Sequence, residues 1–358
     1  MNFKEILLNR FRGDTPGRPL FMPDLGPWFS WHSRRKTLPE DCRESSLADI
    51  CSALNCPAWI VHTPWKLEYD GIEVTHEKSK TRRVFSYHTG SGVLSEVWDL
   101  GPDGDWWQQE YPVKKEDDLD AAEEIVNAMR YRLNYAELPE ADSNSGIIEA
   151  VEVPKTPYSD MLHTFLGWSE GLMLMVSEED RMTELLRVMD EKRRELVRTL
   201  AADLHHAVFL TPDNLDGQFI SPSVFSAHLA PSYRNICETL HGRGKHLLVH
   251  IGGLSRRLLP LLAGTGIDCL TGISGPPQSD ATLSEARKEA GPDITLWGGI
   301  PQDYVMPMHD RSVLIESVEE AMQFAETDPR TIIGIADHVP VDAEFGRIRE
   351  ICMLLNGR

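Results

Sequence analysis

No stretch of eighteen consecutive apolar residues occurs in the 358-residue chain, so no bilayer-spanning helix is expected. Cysteine is sparse: Cys42, Cys51, Cys56, Cys237, Cys269 and Cys352 form no Cys-x-x-Cys pair. That excludes a dithiol redox motif and a zinc knuckle, and it suits free thiols in a reducing cytoplasm. Positive charge is also short, with 36 Lys and Arg against 56 Asp and Glu and a formal net charge of −20. Binding to a phosphate backbone rests on clustered Lys and Arg, so no nucleic-acid partner is expected, nor an anionic membrane surface. Met1–Arg12 reads as a short amphipathic helix without the apolar run and cleavage site of a secretory signal. Internal repeats and low-complexity segments are missing as well. These absences leave a soluble, cytoplasmic protein as the expectation.

What the chain does have is a series of short apolar runs, each followed by polar residues. The runs are Ala207–Leu210, His246–Val249, Ile267–Leu270, Ile294–Trp297 and Thr331–Ile335. Asp213 to Asp216, His250, Ser274, Gly298-Gly299 and Asp337-His338 follow them, and most intervals have helical spacing. Strand, polar tip and helix in repetition predict an α/β fold, a single (β/α)8 TIM-type barrel across residues 1–358. Leu20–Leu25 and Ala58–His62 read as its first two strands. Between them and the later strands, Leu67–His76, Arg83–His88 and Val93–Trp98 alternate with Gly- and Lys-rich turns. They predict an antiparallel β insertion in the N-terminal half, at 67–111. Lys115–Met129 reads as a helix with an acidic first turn, and Ser177–Asp180 as the opening of the longest helix.

The segment Asp213-Asn214-Leu215-Asp216 … Ser221-Pro222 … Pro231 resembles the Asp-Asp-x-Gly … Ser-Pro … Pro segment of the uroporphyrinogen decarboxylase superfamily. His250-Ile251-Gly252-Gly253 stands where its methyltransferase branch carries His-x-Cys-Gly. Gly266–Asp268, Leu296–Ile300 and Ile333–Pro340 follow in the family's order. The resemblance is strong over 205–340 and looser before it, where Gln109–Asp118 carries most of it. It implies a distorted (β/α)8 barrel and either decarboxylation or corrinoid-dependent methyl transfer, the latter with a bound zinc. The decarboxylase branch has an arginine-rich segment after its first strand. Here that place reads Asp24-Leu-Gly-Pro-Trp28-Phe29-Ser-Trp31, with no arginine before Arg34. Recognition of porphyrin carboxylates needs guanidinium groups, so this departure counts against decarboxylation.

The family's zinc thiolates are also replaced, the first by Gly252 and the later one by Asp337. A harder His/carboxylate site remains open, since zinc accepts nitrogen and oxygen donors. The resemblance therefore gives His250 and Asp337 as metal-ligand candidates, and His250, Asp337, His338 and Asp213 as the catalytic set. Asp24, Trp28, Trp31, Asp216 and Arg256 are the candidate substrate contacts. Alternatives stand beside several of these. His250 can be a strand-end histidine held by a carboxylate, Asp213 and Asp216 can cap a helix or make Asx turns, and the tryptophans can pack in a core. His205-His206 reads as packing or surface.

The function implied is transfer of a methyl group from a small donor, such as a methoxylated aromatic, to a corrinoid protein. The corrinoid belongs to a partner, because the chain has no Asp-x-His-x-x-Gly segment. A homodimer is left open beside a monomer. Two other readings remain: a decarboxylase or lyase acting on a small aromatic or tetrapyrrole acid, and a corrinoid- or metabolite-binding barrel without catalysis.

Overall fold

The computed structural model describes residues 2–14, 19–102, 104–138 and 146–356. Its strands run β1 (Leu20–Phe21), β2 (Ala58–His62), β3 (Trp65–Tyr69), β4 (Glu73–Lys78), β5 (Arg82–His88), β6 (Val93–Leu100), β7 (Trp106–Glu110) and β8 (Met129–Leu133). They continue with β9 (Ile147–Glu152), β10 (Val208–Leu215), β11 (His246–Ile251), β12 (Cys269–Ile273), β13 (Thr295–Pro301) and β14 (Thr331–Ala336). Eight of them form one sheet in the order β1-β14-β13-β12-β11-β10-β9-β2. Every pairing in it is parallel. Helices connect its neighbours, among them Ala230–His241, Leu283–Ala290 and Arg311–Thr327. This is the TIM-type α/β barrel that the strand-tip pattern predicts.

The chain divides into two compact units. Met1–His62, Pro139–Glu152 and Leu204–Arg358 make up the first, which holds all eight parallel strands; Thr63–Leu138 and Val153–Asp203 make up the second.

The parallel sheet curls around apolar side chains, and each of its strands contributes to one buried layer. Leu20, Trp59, Ile148, Val208, Leu248, Cys269, Trp297 and Ile332 belong to a single core cluster. Strands buried on both faces read as near-continuous apolar runs, and all six residues of β14 are buried. The N-terminal helix Phe3–Arg12 adds Leu7 and Phe11 to the same cluster. Its last carbonyls are satisfied from the barrel floor. Thr295 Oγ1 donates to the Arg10 carbonyl at 3.0 Å, and the Arg330 guanidinium donates to the carbonyls of Phe11 and Arg12. Thr295 opens β13 and Arg330 immediately precedes β14, so this helix plugs the N-terminal end of the barrel and leaves the strand tips at the other end.

The second unit contains the antiparallel strands. β4, β5, β6 and β7 form one sheet in sequence order, and β3 pairs with β8 in another. The sequence suggests one strand over 67–76, but the chain turns at Gly71, whose φ of +79° suits glycine. The helix expected through Met129 ends at Ala128 instead. Lys192 Nζ donates to the carbonyls of Val126, Asn127 and Met129 at 2.6–2.9 Å, which satisfies groups the helix leaves open. β8 then pairs with β3 while Arg130 and Arg132 reach Asp70. No helix among the described residues is long and apolar enough to cross a membrane.

Candidate active site

Polar side chains collect at the C-terminal tips of the parallel strands. His250 lies near the end of β11, opposite Thr271 of β12. Its Nδ1 is 3.1 Å from Thr271 Oγ1, and its Nε2 is 3.2 Å from Asp337 Oδ1, just past β14. A carboxylate only accepts, so this arrangement places the imidazole proton on Nε2 and leaves Nδ1 to accept from the threonine hydroxyl. The second carboxylate oxygen, Asp337 Oδ2, faces His338 Nδ1 at 3.5 Å.

The environments of these groups pull in different directions. Burial pushes the His250 imidazole below its ordinary pKa, and the positive influence of His338 adds to this; the Asp337 charge opposes it without prevailing. Burial alone would raise Asp337, but the hydrogen bond from His338 and the charges of His250 and His338 outweigh it and hold the carboxyl low. Asp24, just after β1, moves the other way. Burial raises its pKa, against a hydrogen bond from the Gly26 amide, and it feels the charges of both His338 and Asp337. Carboxyls pushed apart in this way can divide acid and base roles between them.

His250 and Asp337 line a cavity of about 180 Å³. Asn214, Ser274, Gln278 and Gln302 supply most of its remaining polar wall, and no lysine or arginine lines it. The Gln278 side-chain carbonyl accepts from the Gln302 amide at 2.9 Å, tying the loops after β12 and β13 together. Gln302 Oε1 is buried and has no protein partner.

Glycine is required beside the histidine. Gly272 has φ of +94°, and a Cβ there would lie 2.7 Å from His250 Cε1 and collide with the Ile251 carbonyl. Gly272→Ala is therefore expected to displace the imidazole and lose most activity, with a stability loss of about 1–2 kcal/mol from the left-handed backbone alone. Activity assays beside thermal unfolding test this. An unchanged rate would show that the imidazole position is not critical.

The other predicted residues lie in different settings. Asp213 is fully buried and accepts hydrogen bonds from the hydroxyls of Tyr233 and Thr211. Asp216 Oδ1 accepts from the backbone amides of Gln218 and Leu254 at 2.8 and 3.2 Å, an Asx-type turn that joins the loops after β10 and β11. Arg256 pairs with Glu285 at 2.9 Å and Glu289 at 3.5 Å on the helix Leu283–Ala290. Trp28 is buried and stacks on Phe345 with ring centroids 4.9 Å apart. The Arg35 guanidinium lies over the Trp31 ring at 3.7 Å. The structure thus brings together His250, Asp337, His338 and Asp24. Thr271, Gln278 and Gln302 escaped notice in the sequence. Gln302 had a signal, since it directly follows a barrel strand; Gln278 and Thr271 had none.

Zinc, which the superfamily resemblance implies, is not matched by these donors. His250 and Asp337 hydrogen-bond to each other, and among the described residues they are in no set of three donors lying within 4.8 Å of one another. The volume that a Cβ on Gly252 would enter is taken by Asn214 Oδ1. The tip residues form a hydrogen-bonded cluster of imidazole and carboxylate groups.

Residues 109–355 match the family model for uroporphyrinogen decarboxylase (URO-D). The chain belongs to that family. Among solved structures, its fold is similar to that of a methyltransferase from Methanosarcina mazei, with 12% identity, 100% of this chain and 99% of that chain covered, and a TM-score of 0.59. A D-psicose 3-epimerase from Clostridium cellulolyticum H10, crystallised with D-tagatose, aligns at 10% identity over 59% of this chain and 77% of that one. Its TM-score of 0.34 is too low to carry an argument. No curated protein sequence matches the chain significantly.

Proposed function

We propose that the protein is a methyltransferase that takes the methyl group of a small, polar, N-methylated donor and passes it to a corrinoid carried by a separate protein. Membership of the URO-D family supports an enzyme on this barrel, and the fold it shares with a methyltransferase is compatible with that reading. The observation that carries the proposal is the composition of the cavity. It is lined by the Asp337 carboxylate and by amide and hydroxyl side chains, with no lysine or arginine, which is unsuited to a polycarboxylate and suited to a ligand that donates hydrogen bonds.

When bound, the corrinoid supplies the nucleophile that accepts the methyl group. The chain's own residues have a simpler task. Asp337 accepts an N–H of a protonated methylamine-type donor. A nitrogen that enters as an ammonium departs as a neutral amine, so no further proton has to reach it. His250 holds Asp337 through its Nε2–H, and Thr271 fixes the ring in the tautomer that does so. A methoxylated aromatic would leave as a phenoxide, which a proton donor would stabilise. Asp24, biased by burial toward its protonated form, is the nearby group suited to that role.

The test is methylation of cob(I)alamin by the purified protein, followed spectrophotometrically with methylated amines and with methoxylated aromatics. Turnover with the amines supports the proposal. Turnover with the aromatics alone would move the proton donor to the centre of the mechanism. Carbon dioxide release from small aromatic or tetrapyrrole acids without cobalamin would replace methyl transfer with decarboxylation.

A further inference from the structure

His62, Glu149 and His206 come together in the first unit, away from the cavity described above. One donor atom from each lies within 4.8 Å of the others. His62 ends β2, Glu149 sits on the adjacent β9, and His206 leads into β10, the next strand in the sheet. The donors therefore come from β2, from β9 and from the residues that lead into β10, three neighbours in the sheet. His62 Nε2 and Glu149 Oε1 are 3.0 Å apart, and each side chain is only 14% exposed. His206 is 3% exposed, and its Nδ1 is buried without a hydrogen-bond partner. Lys245 Nζ donates to the carbonyls of Leu204 and His206, both at 2.7 Å, and so fixes the backbone that presents this imidazole.

A buried imidazole nitrogen with nothing to bond is costly unless something occupies it. Two imidazoles and one carboxylate, gathered at this spacing, form the donor set that borderline divalent metals prefer. We propose that His62, Glu149 and His206 bind a divalent transition metal, with Zn2+ as the representative ion, and that this ion clamps β2, β9 and β10. The placement along the chain gives the clamp a purpose. His62 is the last residue before the chain passes into the second unit at Thr63, Glu149 belongs to the segment between that unit's two parts, and His206 closely follows the second part's end at Asp203. The ion would lock the points at which the barrel wall is interrupted by the long excursions of the chain. Metal in this position is structural, and it leaves the acid/base cluster at the strand tips as it is.

The experiment uses the full-length protein stripped with chelator and then dialysed against Zn2+, with metal content and thermal unfolding measured. One zinc per chain and a thermal midpoint that rises with zinc concentration are expected. His62→Ala and Glu149→Gln should weaken binding by more than the roughly 10- to 100-fold that loss of an outer partner costs. His250→Ala and Asp337→Ala should retain the ion in full. His62 and Glu149 are preferred to His206 because a change at the buried histidine risks the fold, and unchanged circular dichroism confirms that the variants are intact. Absence of stoichiometric zinc from the folded wild type would overturn the proposal, as would retention of zinc by both His62→Ala and Glu149→Gln. Loss of zinc from His250→Ala instead would also overturn it and place the ion at the barrel mouth.

Discussion

Asp337→Asn is expected to lower kcat/KM for a cationic donor by a factor of about 10, the equivalent of about 1.4 kcal/mol, because the half-exposed carboxylate meets the donor's charge in a site that solvent partly screens. The substitution keeps the size of the side chain and removes only the charge. His250→Ala should cost less, because His250 acts by holding Asp337 at 3.2 Å rather than by meeting the donor's charge. Adding His250→Ala to Asp337→Asn should then do little more than Asp337→Asn alone, since groups that act as a unit are strongly non-additive. Fully additive losses would show that the two residues work independently.

The pH dependence follows from the same pair. His250 is depressed by burial, so the neutral imidazole persists below the ordinary histidine value of about 6.5. Asp337, also held low, remains ionised throughout that range. The acidic limb of kcat/KM should therefore fall below pH about 6.5, where a protonated His250 begins to repel a cationic donor. The Asp337 charge favours protonation of His250 and His338 opposes it. Asp337→Asn should accordingly move the limb to still lower pH, and His338→Ala should move it up. For stability the sign is the same: below about pH 6.5 the unfolded chain takes up a proton that the buried His250 resists, so His250 makes the fold less stable as pH falls through that value. A limb above the ordinary imidazole range, or no response to either substitution, would remove His250 from the titration that governs the rate.

The barrel was legible because its last five strands are buried on both faces and so stand out as apolar runs; His250, Asp337 and His338 follow from being the polar residues at their ends. β9 escaped for a physical reason. Its run is broken by Glu149, which faces away from the core toward His62, and that carboxylate makes the segment look like a surface. β8 was hidden in the same way by Arg130 and Arg132, whose ion-pair partners, Asp70 just past β3 and Glu68 on it, are far away in sequence. A pattern of hydrophobicity records which residues avoid water, but not which charges will be neutralised by distant segments. The cavity wall shows the same limit. Gln278 matters because its carbonyl meets the Gln302 amide across two loops, and no local spacing announces that. The grouping of His62 with His206 likewise depends on the barrel bringing β2 beside β9 and β9 beside β10.

Trp297→Ala is expected to be the most damaging single change to the barrel itself, costing about 3–5 kcal/mol as a buried large-to-small substitution. The indole lies in the layer that all eight strands share, with its ring edge-on to Trp59 at a centroid distance of 5.0 Å. Its Nε1–H donates to the Met22 carbonyl at 2.9 Å, which ties β13 to the chain just beyond β1. The space around it is fitted to the ring: a Cβ on Gly334 of β14 would collide with Nε1, so the neighbouring strand has no larger side chain with which to fill a void. Trp297→Phe separates the two contributions. It keeps most of the volume but removes the donor, and should cost about 1–3 kcal/mol for a carbonyl left without its partner. The denaturation midpoint should therefore fall in the order wild type, Trp297→Phe, Trp297→Ala, with the slope of the transition unchanged. Equal losses in the two variants would mean that the hydrogen bond to Met22, and not the filled barrel interior, holds β1 and β13 together. A near-neutral Trp297→Ala would show that the interior collapses around the missing ring, which the tight approach at Gly334 argues against.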